Sequence, residues 1–160
     1  MNVLVLAWGN PSRGDDALGP EFARRIAALA NGLPGVEVLT DFQLAPEHAT
    51  DLAGRDLVLF ADARLGMARP LAFARVSPAR DASFSSHAMS PGALLAAYEA
   101  AFRRAAPPAW ILAMRGERFE LGEPLGAAAQ QSLAAAVAFA ESLLRDARPA
   151  RWDAAATVAD

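Results

Sequence analysis

Five side chains in this sequence have the types and spacing to do chemistry together: Asp15, Asp16, Asp41, Asp62 and His87. Asp15 and Asp16 are adjacent and close a loop that opens on Gly9-Asn10. One carboxylate at a helix start is accounted for by capping the free N–H groups there. A second is left over, and a surplus carboxylate suits a cation. Asp41 and Asp62 each follow an apolar run, and His87 precedes Ser90-Pro91, which reads as the start of a helix. Two carboxylates and an imidazole, with no thiolate, suit a borderline divalent metal with open positions.

These residues meet only if the elements before them bring them to one edge. Val3 to Trp8 is continuously apolar, as in a parallel strand buried on both faces. A helix starting near Pro20 and ending at Asn31-Gly32 carries Phe22, Ile26 and Leu29 at helical spacing. Val36 to Leu39 and Asp56 to Ala61 read as the second and third strands, with a short helix from Ala45 to Gly54 between them. That β-α-β-α-β order implies parallel strands with right-handed crossovers. Only Ala63 to Pro70 separates the third strand from a fourth, Leu71 to Val76, too few residues for a helical crossover. The fourth is therefore expected antiparallel. A helix with Leu94, Leu95, Tyr98 and Phe102 follows, then a fifth strand from Ala109 to Met114 and a long helix marked by Leu125, Ala129, Leu133, Val137, Ala140 and Leu144. The expected fold is a three-layer α/β/α sandwich around a five-stranded, mostly parallel mixed sheet. It forms one domain over residues 1–146, and the alanine-rich stretch 147–160 is expected to be a mobile tail.

In such a sheet, ligands sit outside the carboxyl ends of the strands. The spacing brings Asp15 or Asp16, Asp62 and His87 to that edge, with Asp41 nearby. Each has a plainer structural account. Asp62 alone reads as a turn cap, and His87 as a loop histidine. His48, three residues before Asp51, is accounted for by an i,i+3 pair. Asn10 is expected to bond backbone in the turn after Gly9. Arg115 and Arg118 suit a substrate carboxylate or pairing with Glu117 or Glu120.

The 160 residues include no cysteine, and all 15 basic residues are arginine. That excludes thiol nucleophiles, disulfides, Schiff-base lysines and a P-loop lysine. Ser85 and Ser86 directly precede His87, a poor arrangement for a serine nucleophile. Gly9, Gly14 and Gly19 do not make a dinucleotide fingerprint. A net charge of −3 gives no reason to expect nucleic acid or an anionic membrane as partner. The apolar run at residues 3–8 is too short for a signal peptide or a membrane span, so a cytoplasmic protein is expected.

Three stretches together resemble the hydrogenase maturation endopeptidases. Val3-Leu4-Val5-Leu6-Ala7-Trp8-Gly9-Asn10, with Arg13-Gly14-Asp15-Asp16-Ala17-Leu18-Gly19, is similar to that family's strand–G-N–x₄–D-(D/E)–x₂–G signature. Leu57 to Ala63 is similar to its buried strand ending in D-A, and His87 before Ser90-Pro91-Gly92 to its third motif. The resemblance runs from Met1 to about Leu144. It implies a phosphorylase/hydrolase-like fold and an enzyme that removes a C-terminal extension from the large-subunit precursor of a nickel–iron hydrogenase. It also implies that Asp16, Asp62 and His87 bind nickel carried by the substrate, with another divalent metal an option for the free protein. Asp41 is a candidate water-positioning base, Gly9, Asn10 and Asp15 shape the turn, and the chain is expected to be a monomer. Two departures stand out. Some members carry Glu where this chain has Asp16, and the family's D-G-G-T stretch is here Asp41-Phe42-Gln43-Leu44. That wording, with Trp8-Gly9-Asn10 and the Pro46-Glu47-His48 that follows, looks most like the branch serving soluble, NAD-reducing hydrogenases. The alternatives carried forward are a metal-dependent small-molecule hydrolase using the same ligands and a non-catalytic nickel-binding assembly factor.

Overall fold

A computed structural model describes residues 1–80 and 89–157. Five strands, β1 (Val3–Trp8), β2 (Val36–Asp41), β3 (Leu57–Arg64), β4 (Leu71–Val76) and β5 (Ala109–Arg115), form one sheet in the order β2-β1-β3-β5-β4. The β1–β2, β1–β3 and β3–β5 pairs are parallel, and β4 runs antiparallel on β5. The short β3–β4 connection forces that reversal, as the sequence implied. Every residue of β1 is buried, which explains its unbroken apolar run.

Helices cover both faces. On one lie α1 (Leu18–Ala30) and α3 (Ala127–Arg145), with Phe22, Ile26, Leu133 and Leu143 packed against Val3, Val5, Leu59 and Leu112. On the other lie α2 (Pro91–Phe102) and a 3₁₀ segment, Pro46–Leu52, which bury Leu94, Leu95 and Leu52 against Leu4, Leu6, Val58 and Phe60. Ser90 Oγ caps α2 by accepting the Ala93 N–H at 3.1 Å, as Ser90-Pro91 predicted. No helix among the described residues is long and apolar enough to cross a membrane.

The expectation of a tail without packed structure is corrected. Pro149–Ala154 form α4, whose Trp152 is fully buried against Trp110 and Phe73 at ring-centroid distances of 5.0 and 6.4 Å. Its indole N–H donates to the Leu143 carbonyl at 2.9 Å, and the Trp110 indole donates to Asp153 at 3.0 Å. Beyond α4, the Thr157 N–H donates to the Phe73 carbonyl at 2.9 Å. Trp152→Phe, which deletes the donor and part of the ring, is expected to lower stability by about 1–2 kcal/mol in urea melts.

Candidate active site

The carboxyl ends of β1, β2 and β3 form a level edge. Trp8 pairs with Asp41, and Ala7 with Ala61, so Asp41, Trp8 and Asp62 stand side by side on three neighbouring strands. Side chains alternate along a strand. Leu6 and Trp8, Phe60 and Asp62, and Leu39 and Asp41 therefore share the face covered by α2 and the 3₁₀ segment. Asp62 was expected just past its strand. It lies within β3, which continues to Arg64 because β5 keeps pairing through Asp62–Ala113, Ala63–Met114 and Arg64–Arg115.

After Trp8 the chain folds back sharply. A Cβ on Gly9 would collide with the Asp16 carbonyl oxygen, and one on Gly19 with the Trp8 carbonyl. Both positions require glycine for that close approach. The loop ends in a 3₁₀ turn, Gly14–Ala17, that carries the acidic pair ahead of α1. The two carboxylates separate there. Asp16 Oδ2 accepts the Asn10 N–H at 2.7 Å and stays partly exposed at the strand edge. Asp15 is 2% exposed, and its carboxylate accepts backbone N–H groups from Glu117 at 2.7 Å, Arg118 at 3.1 Å and Gly126 at 2.9 Å. Neither caps α1 through its side chain. Asp15 instead braces the loop after β5 and caps α3, whose N-cap residue is Gly126. Burial raises the pKa of Asp15, but the hydrogen bonds from Gly126, Glu117 and Arg118 outweigh it and hold the carboxyl below its ordinary value.

Asp62 is the opposite case. Burial pushes its pKa up to about 7, and the negative charge of Asp16 adds to the rise, against the Ala63 N–H at 2.8 Å, the Arg64 charge and the Trp8 indole, which favour ionisation. The Asp16 charge thus weighs on a carboxyl that burial already keeps from ionising, an arrangement a cation would relieve. Among the described residues, no group of three or more His, Asp or Glu side chains forms a metal site, and the third expected ligand, His87, lies outside them.

Asn10 behaves as expected, its Oδ1 accepting the Ser12 N–H at 2.9 Å. His48 does not. It is 7% exposed, and its Nε2 faces Asp41 Oδ2 at 3.2 Å rather than pairing with Asp51. Its Nδ1 sits against the Ala45 backbone, 2.9 Å from the N–H and 3.2 Å from the carbonyl oxygen. A partner seven residues away across a turn left no local signal. Arg115 donates to the Ala68 carbonyl at 3.0 Å, and Arg118 lends its charge to Asp15, so neither forms the expected pair with Glu117 or Glu120.

No family model and no curated protein matches this sequence. Solved structures do match. The NiFe hydrogenase maturation protease HycI from Thermococcus kodakarensis KOD1 superposes with a TM-score of 0.72 at 19% identity, covering 90% of this chain and 92% of that one. The hydrogenase maturating endopeptidase HybD from E. coli gives 0.69 at 20% identity, covering 92% and 94%. The HybD protease of T. kodakarensis gives 0.67 at 23%, covering 90% and 99%. At these identities the likeness is one of architecture: this chain has the fold of the hydrogenase maturation proteases.

Proposed function

We propose that this chain is an endopeptidase that removes the C-terminal extension of a nickel-loaded hydrogenase large-subunit precursor. The observation that carries the reading is the Asp16–Asp62 pair, short of positive charge at the carboxyl edge of a fold shared with such proteases. The nickel is part of the substrate. Bound there, it polarises the scissile carbonyl or lowers the pKa of a bound water.

The chain's own residues set the reception. The Asn10 N–H holds Asp16 and the Ala63 N–H holds Asp62, so both carboxylates are oriented before substrate arrives. His87 is the third ligand. A precursor without nickel brings no cation to this pair and is not fixed for cleavage, which makes hydrolysis conditional on metal loading.

The test mixes the chain with nickel-loaded and nickel-free precursor of a soluble NAD-reducing hydrogenase and weighs the products. The expected result is release of a C-terminal peptide from the loaded form alone. A stable complex without peptide release would mark an assembly factor instead. Equal cleavage of both forms would remove nickel from the recognition step.

A further inference from the structure

Two arginines stand one step beyond Asp62. Arg64 and Arg115 are register partners on β3 and β5, as Asp62 and Ala113 are before them. Side chains alternate along a strand, so Arg64 shares the face of Asp62, about 6–7 Å farther along. Register partners on neighbouring strands start about 4.8 Å apart on a common face. The pair therefore lies on the β5 side of Asp62, and Asp16, beside Gly9 at the end of β1, on the other.

Like charges set side by side repel. A guanidinium does not lose its proton in a protein, so no change of pH relieves this pair. No carboxylate among the described residues forms an ion pair with either one. Arg64 is exposed, and its guanidinium donates to nothing among the described residues. Arg115 is half-buried and uses one donor, Nη1, on the Ala68 carbonyl at 3.0 Å. That bond anchors the guanidinium to the β3–β4 connection and leaves Nη2 over. Its Nε is buried with no acceptor at all. A buried donor without a partner is rare in a folded protein and points to an acceptor brought from outside.

We propose that Arg64 and Arg115 together receive a carboxylate of the precursor's C-terminal extension, and so select the segment that is cut away. A carboxylate bound across Nε and Nη2 of Arg115 gives that buried donor its acceptor, and its charge offsets the repulsion with Arg64. A substrate fixed by nickel between Asp16 and Asp62 has this pair next to it on the β5 side. A short C-terminal segment brings a suitable anion whatever its sequence, its own terminal carboxylate, and an acidic side chain within it brings the same chemistry. The assignment of the anion to the precursor rests on the function proposed above; the pair's preference for a carboxylate does not.

Two measurements separate them. First, the full chain is titrated with N-acetyl-glycine, which ends in a carboxylate, and with N-acetyl-glycine amide, which does not. NMR follows the arginine Nε–H signals and the backbone amides. The carboxylate probe is expected to move the Arg115 Nε–H signal and the amides of Arg64, Arg115 and Gly116 with millimolar affinity, and the amide probe to bind about tenfold or more weakly. Arg64→Gln and Arg115→Gln are each expected to shrink that difference. Equal response to both probes, or shifts confined to other arginines, overturns the proposal.

Second, wild type and Arg64→Gln are assayed on three nickel-loaded precursors: native, amidated at the C-terminus, and with the acidic side chains of the extension changed to amides. Arg64 is exposed, so its replacement leaves the fold intact. On native precursor Arg64→Gln is expected to raise KM about tenfold with a smaller change in kcat. On the precursor that lacks the bound carboxylate it is expected to add nothing, and which precursor that is tells a terminal carboxylate from a side chain. The Arg64 charge also acts on Asp62. An equal loss on all three precursors would mean that Arg64 works through Asp62, and overturns the proposal. Selective carboxylate binding by a chain that cuts no precursor would sink the protease reading and leave the arginine pair's preference standing.

Discussion

Asp62→Asn is expected to abolish precursor processing and, in the same chain, to raise stability above pH 7. The first effect follows if Asp62 is a ligand to the substrate's nickel. Asparagine carries no charge, and losing a ligand should cost more than the roughly 10–100-fold typical of residues that merely support one. The second follows from the raised pKa. Burial and the charge of Asp16 place the folded-state value at about 7, whereas in the unfolded chain it returns to that of an ordinary aspartate. Well below pH 4 the carboxyl is protonated in both states and contributes nothing to the balance. Between about pH 4 and 7 the unfolded chain ionises first, so the native fold loses stability as pH rises, and above 7 the penalty is constant. Asparagine removes it. The expected gain is about 1–4 kcal/mol at pH 8, shrinking toward zero near pH 4. Thermal melts in chelator at pH 4.5, 6 and 8, run beside the processing assay, read both effects. A variant less stable than wild type at pH 8 would mean that the folded chain already compensates the Asp62 charge.

The neighbouring position behaves in the opposite sense. Asp15→Ala is expected to destabilise the fold by about 3–5 kcal/mol, because the N–H groups of Glu117, Arg118 and Gly126 all lose their acceptor. Here the folded pKa lies below the ordinary value. The contribution is therefore fully present above about pH 4, and it is lost as pH falls through the depressed folded value. Wild type should lose stability in that acid range, and Asp15→Ala should lose less. Urea melts at pH 7 and pH 3 check both the size and the slope. If Asp15→Ala matched wild type at pH 7, the brace would contribute nothing.

Much of the framework was legible in the sequence because its signals are local. A buried strand shows as an apolar run, a reversal as a connection too short for a helix, and a helix start as Ser90-Pro91. What escaped depends on partners far along the chain. Asp15 and Asp16 are chemically identical neighbours, and their division of labour is set by backbone more than a hundred residues away. The length of β3 is decided by continued pairing with β5 rather than by its own composition. Residues 147–157 show no period of their own. A single tryptophan in an alanine-rich stretch does not announce that Trp110 and Phe73 are waiting for it. His48 had Asp51 within easy reach in sequence, and the turn after β2 gave it Asp41 instead. In the site itself, the placement of Asp16 and Asp62 at one edge followed from strand order, while the cavity lined by Gly9, Pro11, Pro20, Thr40, Asp41 and Phe42 did not, because its walls come from the loop after β1, the first turn of α1 and the end of β2.

The stitching around Asp15 bears on when the site comes into being. The Asp15 N–H donates to the Arg118 carbonyl, the Gly14 N–H to Glu123, and the Gly122 N–H back to Ser12, in addition to the three bonds its carboxylate accepts. These contacts close a loop of about a hundred residues, and the entropy of that closure must be met before any of them forms. A nascent chain that has emerged only as far as β4 holds β1, β2 and β3 but has nothing to anchor the acidic turn. The acidic turn is thus among the last parts of the fold to take its final shape, and the edge beside it is complete only once the loop after β5 and the start of α3 have been synthesised and docked.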